Sequence, residues 1–268
     1  MTMLIAVGTL KGRGATTTAL ALAAHWNTED ADERTPVVVE LDPEGGDAAA
    51  YWRVRIERGL ADVIALLASG ALADTDVDVL AEGSQELPVA GVAVPVVCAA
   101  PGGRGVRKAI PMLAAPGAKL LDPPDGVVIA DLGRLHHESP AWSVAAAADV
   151  LVCVTEGTLA ALAQVRARIE DLSSLERLGP RTGLVVVERE STAAEVEEVA
   201  LTADLDVRVL GAAGPGSLID ADPPTGRAAR RGHRAWRVLA DAVRDLAETP
   251  RPLALTAAPE PAPQEALS

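Results

Sequence analysis

The chain has 268 residues, enough for one large domain or two small ones with a sizeable core. Apolar residues make up 49% and charged residues 23%, the range of ordinary globular proteins. A net charge of −14 excludes coating nucleic acid or an anionic membrane with the whole surface, while a local basic patch stays open.

No stretch approaches the roughly 20 apolar residues of a membrane span. The opening "MLIAVG" is too short for the apolar part of a signal peptide, and no basic residue precedes it. The expectation is a cytoplasmic protein without membrane insertion. Cys98 and Cys153 sit alone in apolar runs and read as small buried hydrophobes, not a redox pair. The histidines (His25, His136, His137 and His233) have no metal-ligand spacing, and adjacent His136 and His137 read as an exposed loop.

In chain order, short β-branched runs alternate with Ala/Leu-rich segments of helical period. Strands are predicted at Leu4–Val7, Val37–Leu41, Val92–Cys98, Gly126–Asp131, Val150–Val154, Gly183–Val187 and Val207–Leu210. Helices are predicted at Thr16–Trp26, Leu60–Leu72, Gly105–Leu113, Leu159–Glu176, Ala193–Leu201 and Gly226–Glu248. "PVVVEL", "GVVIAD" and "DVLVCV" are almost wholly apolar, as strands buried on both faces are. That implies an α/β fold whose mainly parallel sheet is flanked by helices on both faces. Asp74–Gly91 reads as an acidic, loop-like insert. Residues 1–248 are expected to form one domain, and residues 249–268 a disordered Pro/Ala-rich tail.

"VGTLKGRGATTTALALA" (Val7–Ala23) follows a predicted strand and opens a predicted helix, the context of a phosphate-binding loop. Against the pattern G-x-x-x-x-G-K-[ST], Gly14 takes the second glycine and Thr16 the Mg²⁺-binding hydroxyl. Thr9 stands at the first glycine, and Ala15 replaces the lysine that reaches the β/γ-phosphates. Alone, the loop is equally a Gly-containing strand-to-helix turn. Two further strand ends bear on the choice. "VVVELDPEGGD" carries Glu40, Asp42 and Asp47, and "VVIADLG" carries Asp131. One such acid is more often a helix cap, but acids at several parallel-strand ends line the crevice where open α/β sheets bind ligands.

With these motifs in order, the sequence resembles the ParA/MinD-type deviant Walker A P-loop ATPases, which position cellular cargo. Their K-G-G-x-G-K-T-T loop corresponds to Leu10-Lys11-Gly12-Arg13-Gly14-Ala15-Thr16-Thr17. Their D-x-D-P-x-G element corresponds to Glu40-Leu41-Asp42-Pro43-Glu44-Gly45. "GRGATTTALALA" is nearest to the G-A-T-T loops of a subgroup resembling pilus and secretion localisation factors. The resemblance implies a P-loop NTPase-like fold binding ATP or ADP with Mg²⁺. Lys11, Gly12, Arg13, Gly14, Ala15, Thr16 and Thr17 would hold the nucleotide. Thr16 would ligate Mg²⁺, Asp42 would orient the hydrolytic water and Asp131 would hold the metal through water. The family's cross-dimer lysine falls on Leu10, with Lys11 one place out of register, and its adenine-binding Asn falls near Glu188.

A well-placed charge on a transferring phosphoryl group is worth about 10³ in rate. Losing it at Ala15 depresses hydrolysis more than binding. The implied function is a nucleotide-binding positioning or partitioning factor with weak or no hydrolysis, monomeric or dimerising independently of nucleotide. An active ATPase switch and a nucleotide-free scaffold are the alternatives. Arg227, Arg230, Arg231, Arg234 and Arg237 recur at helical spacing opposite Trp236, Leu239, Ala240, Val243 and Leu246. That basic stripe is a candidate for sequence-independent DNA binding, weighed against a solvated face balancing an acidic protein.

Overall fold

The computed structural model describes residues 2–11, 14–26, 35–69, 78–114, 126–156, 158–168, 181–187, 208–213 and 226–249. The chain runs β1 (Thr2–Thr9), α1 (Ala15–His25), β2 (Val37–Glu40), α2 (Ala48–Tyr51) and α3 (Leu60–Ala68). It continues through α4 (Val79–Gly83), β3 (Gln85–Val89), β4 (Val92–Val97), α5 (Arg104–Leu113), β5 (Gly126–Arg134) and α6 (Trp142–Ala147). It ends with β6 (Val150–Glu156), α7 (Leu159–Ala167), β7 (Arg181–Val187), β8 (Arg208–Ala213) and α8 (Gly226–Glu248).

Among the described residues one sheet has the strand order β3-β4-β2-β5-β1-β6-β7-β8, parallel throughout except for β3 against β4. Its central strands are apolar on both faces because each face is covered. Leu4, Ala6, Ala130 and Leu132 pack under α3, α4, α5 and α6. Ile5, Val7, Ile129 and Val152 pack under α1 and α8. From β1 the chain winds outward through β2, and after β5 it crosses β1 to continue through β6, β7 and β8. The C-terminal ends of β1, β2 and β5 therefore frame the crevice at the point where the winding reverses.

The predicted α/β, mainly parallel architecture is the observed one. The acidic insert is corrected: α4 and β3 lie in its described part, and β3 pairs antiparallel with β4 in register Val89↔Val92. Leu87 and Val89 face the core in alternation, and Ala90 and Gly91, with φ of 54° and 80°, close a tight hairpin. The signal was masked by Pro88, which an edge strand tolerates. Short α2 and α6 were also unpredicted. The predicted helix Ala193–Leu201, the distal part of Leu159–Glu176 and the tail from residue 250 lie outside the described residues.

Helix α1 is fixed at its far end by a histidine pair. His25 Nδ1 donates to the Ala21 carbonyl at 2.8 Å, which leaves Nε2 to accept from His233 Nδ1 of α8, also at 2.8 Å. Burial pushes His25 from its ordinary value near 6.5 down to about 4, with His233 and Arg237 adding repulsion. An unfolded chain then binds this proton more tightly, so His25 favours folding above pH 6.5 and opposes it as pH falls toward 4. The stability difference between wild type and His25→Leu should therefore shrink between pH 7.5 and 4.5, measured by urea unfolding.

Candidate functional site

Helix α1 begins at Gly14 in the left-handed region (φ 109°), and no side chain caps it. Its first N–H groups have no intrahelical acceptor, and they open on a cavity of about 410 Å³. It is lined by Gly14, Ala15, Thr16 and Thr17 from the start of α1, by Asp42, Asp47 and Ala48 from the segment after β2, and by Thr9, Gly133 and Arg134 from the ends of β1 and β5. Tyr51 and Trp52 stand on the α2 side, their rings 4.7 Å apart, and Trp52 Nε1 donates to the Pro88 carbonyl.

Three carboxylates converge here. Glu40 is buried, and its oxygens accept from the backbone N–H groups of Asp47 and Ala48 at 2.8 Å and Ala99 at 2.9 Å. It thereby ties the loop after β2 and the start of α2 to the end of β4. Asp42 is half-buried and accepts from the Glu44 N–H at 2.8 Å. Asp131 is 1% exposed, accepts from the Gly133 N–H at 3.1 Å and from the Thr16 hydroxyl. Burial raises all three above the usual carboxylate range, and their mutual repulsion adds to it at Asp131, which reaches about 7.

The loop carrying Asp42 leans on the loop after β4. A Cβ on Gly103 would lie 1.9 Å from the Pro43 carbonyl oxygen, and one on Gly45 2.5 Å from the Gly102 nitrogen. Only glycine permits that approach. Arg107 of α5 pairs with Glu44 across the same seam.

Of the residues singled out in the sequence, Gly14, Ala15, Thr16, Thr17 and Asp42 line one cavity, and Asp131 lies next to it, bonded to Thr16. Lys11 is exposed and does not line the cavity, and Leu10 is buried in the core. Gly12, Arg13, Glu188 and Arg227's side chain lie outside the described residues. Sequence reasoning missed Arg134, Tyr51 and Trp52. Arg134 had a signal, standing three residues beyond Asp131 on the same strand end.

No protein-family model and no curated protein matches the sequence. Solved structures do match in shape. The cell division ATPase MinD of Pyrococcus furiosus aligns at 18% identity, covering 92% of this chain and 100% of its own, with a TM-score of 0.62. The septum site-determining MinD of Pyrococcus horikoshii, complexed with Mg-ADP, aligns at 19% identity, 92% and 98% coverage and a TM-score of 0.62. A Cyanothece McdA in complex with ATP aligns at 15% identity, 91% and 96% coverage and a TM-score of 0.61. The chain has the MinD/ParA-type fold. In this MinD/ParA-type frame the cavity lies where β1 feeds the N-terminus of α1.

Among the described residues no helix is long and apolar enough to cross a membrane, and no three His, Cys, Asp or Glu side chains form a metal-binding group. The crowded acids carry a cost. An acid whose folded value is raised loses stability as pH climbs from its unfolded value, near 3.8, through its folded one, about 7 for Asp131. Asp131→Asn should therefore raise the ligand-free thermal midpoint at pH 8 by at least about 2–4 °C. Near pH 4 the two proteins should melt together, as differential scanning calorimetry can check.

Proposed function

We propose that this chain is a nucleotide-binding positioning or partitioning factor of the MinD/ParA type that holds ATP or ADP with Mg²⁺ and hydrolyses it slowly or not at all. The observation that carries the reading is the uncapped start of α1 opening on a cavity lined by Thr16 and Asp42, with Asp131 buried beneath and Ala15 where a lysine belongs. The donor set fits the ligand. Phosphates are taken by N–H groups at a helix N-terminus, and Mg²⁺ by hydroxyl and carboxylate oxygens, directly or through water. Within the loop from Lys11 to Thr17, the stretch Gly14–Thr17 that lines the cavity would hold the phosphates, and Thr16, Asp42 and Asp131 the metal. Bound Mg²⁺ would neutralise charge on the phosphates and on the acids together.

Asp42 would orient water, but Ala15 leaves the β/γ-phosphates without the cation that such loops place there. Phosphate release by the purified protein should accordingly stay near background, at least about 10³-fold below that of a lysine-bearing loop. Turnover in the ordinary range that disappears in Asp42→Ala would make the chain an active switch instead. Calorimetric titration with ATP·Mg²⁺ separates either from a nucleotide-free scaffold. Leu10, buried, and Lys11, outside the cavity, support a monomer or a nucleotide-independent dimer.

Non-specific DNA is the proposed partner of α8. Arg230, Arg231, Arg234 and Arg237 are exposed, while Trp236, Leu239, Ala240, Val243 and Leu246 are buried against the sheet. The helix thus presents a basic face on an acidic protein. Replacing Arg230, Arg231 and Arg234 together by Ala should weaken DNA binding alike on unrelated sequences and reduce the salt slope by about 2–3. Retardation assays at several salt concentrations check it, and unchanged binding returns the stripe to a solvated face.

A further inference from the structure

The cavity contains a cation that the phosphate-loop pattern does not anticipate. Among the described residues that line the cavity Arg134 is the single Lys or Arg, and among the described residues it has no ion-pair partner. Its position follows from an irregularity in β5. Along β1 and β5 the partners run Val7↔Asp131 and then Thr9↔Arg134, two steps on one strand against three on the other. One extra residue is therefore accommodated at Leu132–Gly133, where Gly133 adopts a φ of 57°.

The bulge changes which face each side chain takes. Ala130 and Leu132 point into the core layer beneath α5 and α6. Strict alternation would send residue 134 to that layer as well. Instead Leu135 joins it, and Arg134 emerges on the face of Asp131, beside the cavity. Leu135's N–H bonds the Thr9 carbonyl at 2.9 Å, which locks the shifted register. A β-bulge at a functional site commonly re-aims a side chain in this manner.

Thr9, the cross-strand neighbour of Arg134, supplies an independent observation. It lines the cavity, is 3% exposed, and its hydroxyl has no partner among the described residues. A buried hydroxyl without a partner carries a desolvation cost that a bound acceptor relieves.

We infer that Arg134, together with the Thr9 hydroxyl, contacts the phosphate groups of the bound ligand and supplies from β5 the charge that Ala15 withholds from α1. The inference rests on the nucleotide-binding reading above. Arginine's planar fork binds phosphate through paired N–H donors, whereas a lysine acts as a point charge. The charge arrives from the strand-end side of the cavity instead of from within the loop. It strengthens binding without reproducing the lysine's placement, so tight binding and slow hydrolysis coexist.

The test is calorimetric titration of the full chain with two probes, ATP·Mg²⁺ and inorganic tripolyphosphate with Mg²⁺. Arg134→Ala should weaken both by about tenfold to a hundredfold, the range for losing a hydrogen-bonded charged donor. Arg134→Lys should recover part of that loss. Thr9→Val should weaken both probes about fivefold, with Thr9→Ser near wild type. Ala15→Lys should gain more affinity in the Arg134→Ala background than in the native one, because the two cations serve the same phosphates. Arg166→Ala, an exposed arginine on α7, is the charge-matched control and should bind as wild type. If wild type binds both probes and Arg134→Ala binds them equally well, the inference falls while the nucleotide reading stands. Equal gains from Ala15→Lys in both backgrounds also overturn it. Binding of neither probe by wild type removes both readings.

Discussion

Three carboxylates, on Glu40, Asp42 and Asp131, lie near the C-terminal ends of two neighbouring strands with little water to screen them. Burial disfavours the charged form of each and raises all three, and at Asp131 repulsion from Glu40 and Asp42 adds to it. The surrounding structure manages this strain. Glu40 is surrounded by three backbone N–H donors, Asp131 takes Thr16 and Gly133, and Asp42 keeps partial access to solvent. The uncapped start of α1 and the Arg134 guanidinium add positive potential at the same place. A parallel sheet is what brings these groups together, since only parallel neighbours deliver their C-terminal ends to one rim.

Backbone irregularity then does what regular pairing cannot. Had β5 continued in strict register with β1, Arg134 would be directed into an apolar layer and Leu135 into the polar crevice. One added residue and one positive φ exchange those fates. At one edge of the sheet, the Ala90–Gly91 turn folds β3 onto β4, and the Pro88 carbonyl holds Trp52 beside the cavity. The edge hairpin thus contributes to the site from a distance.

The layers of this fold were legible because apolar runs such as "VVIAD" leave no solvent-facing side, and because helices such as α5 and α8 keep a 3.6-residue period. The loop, the acids and Thr16 were legible because they fall at strand ends and at a strand-to-helix turn, positions that a sequence pattern marks directly. Arg134 was not, because the predicted strand stopped at Asp131 and the bulge that carries β5 on to Arg134 cannot be inferred from "ADLGR" alone. Its nearness to Asp131 and the adjoining Gly133 are the hints in that stretch. Tyr51 and Trp52 were hidden for another reason: α2 is a single turn, too short for a periodic signal. The β3 strand was obscured by its proline and its charged neighbours, the features that suit an edge.

The seam between the two glycine loops has a mechanical consequence. Gly45 and Gly103 let the backbones after β2 and β4 approach so closely that neither can advance without the other yielding. The Arg107–Glu44 pair and the bridge between Gly45 and Pro101 close the same contact from both sides. Asp42 thus stands on a segment packed directly against the residues that lead into α5. A shift of that segment toward Gly103 would meet the start of α5, whose Arg104 and Lys108 are exposed.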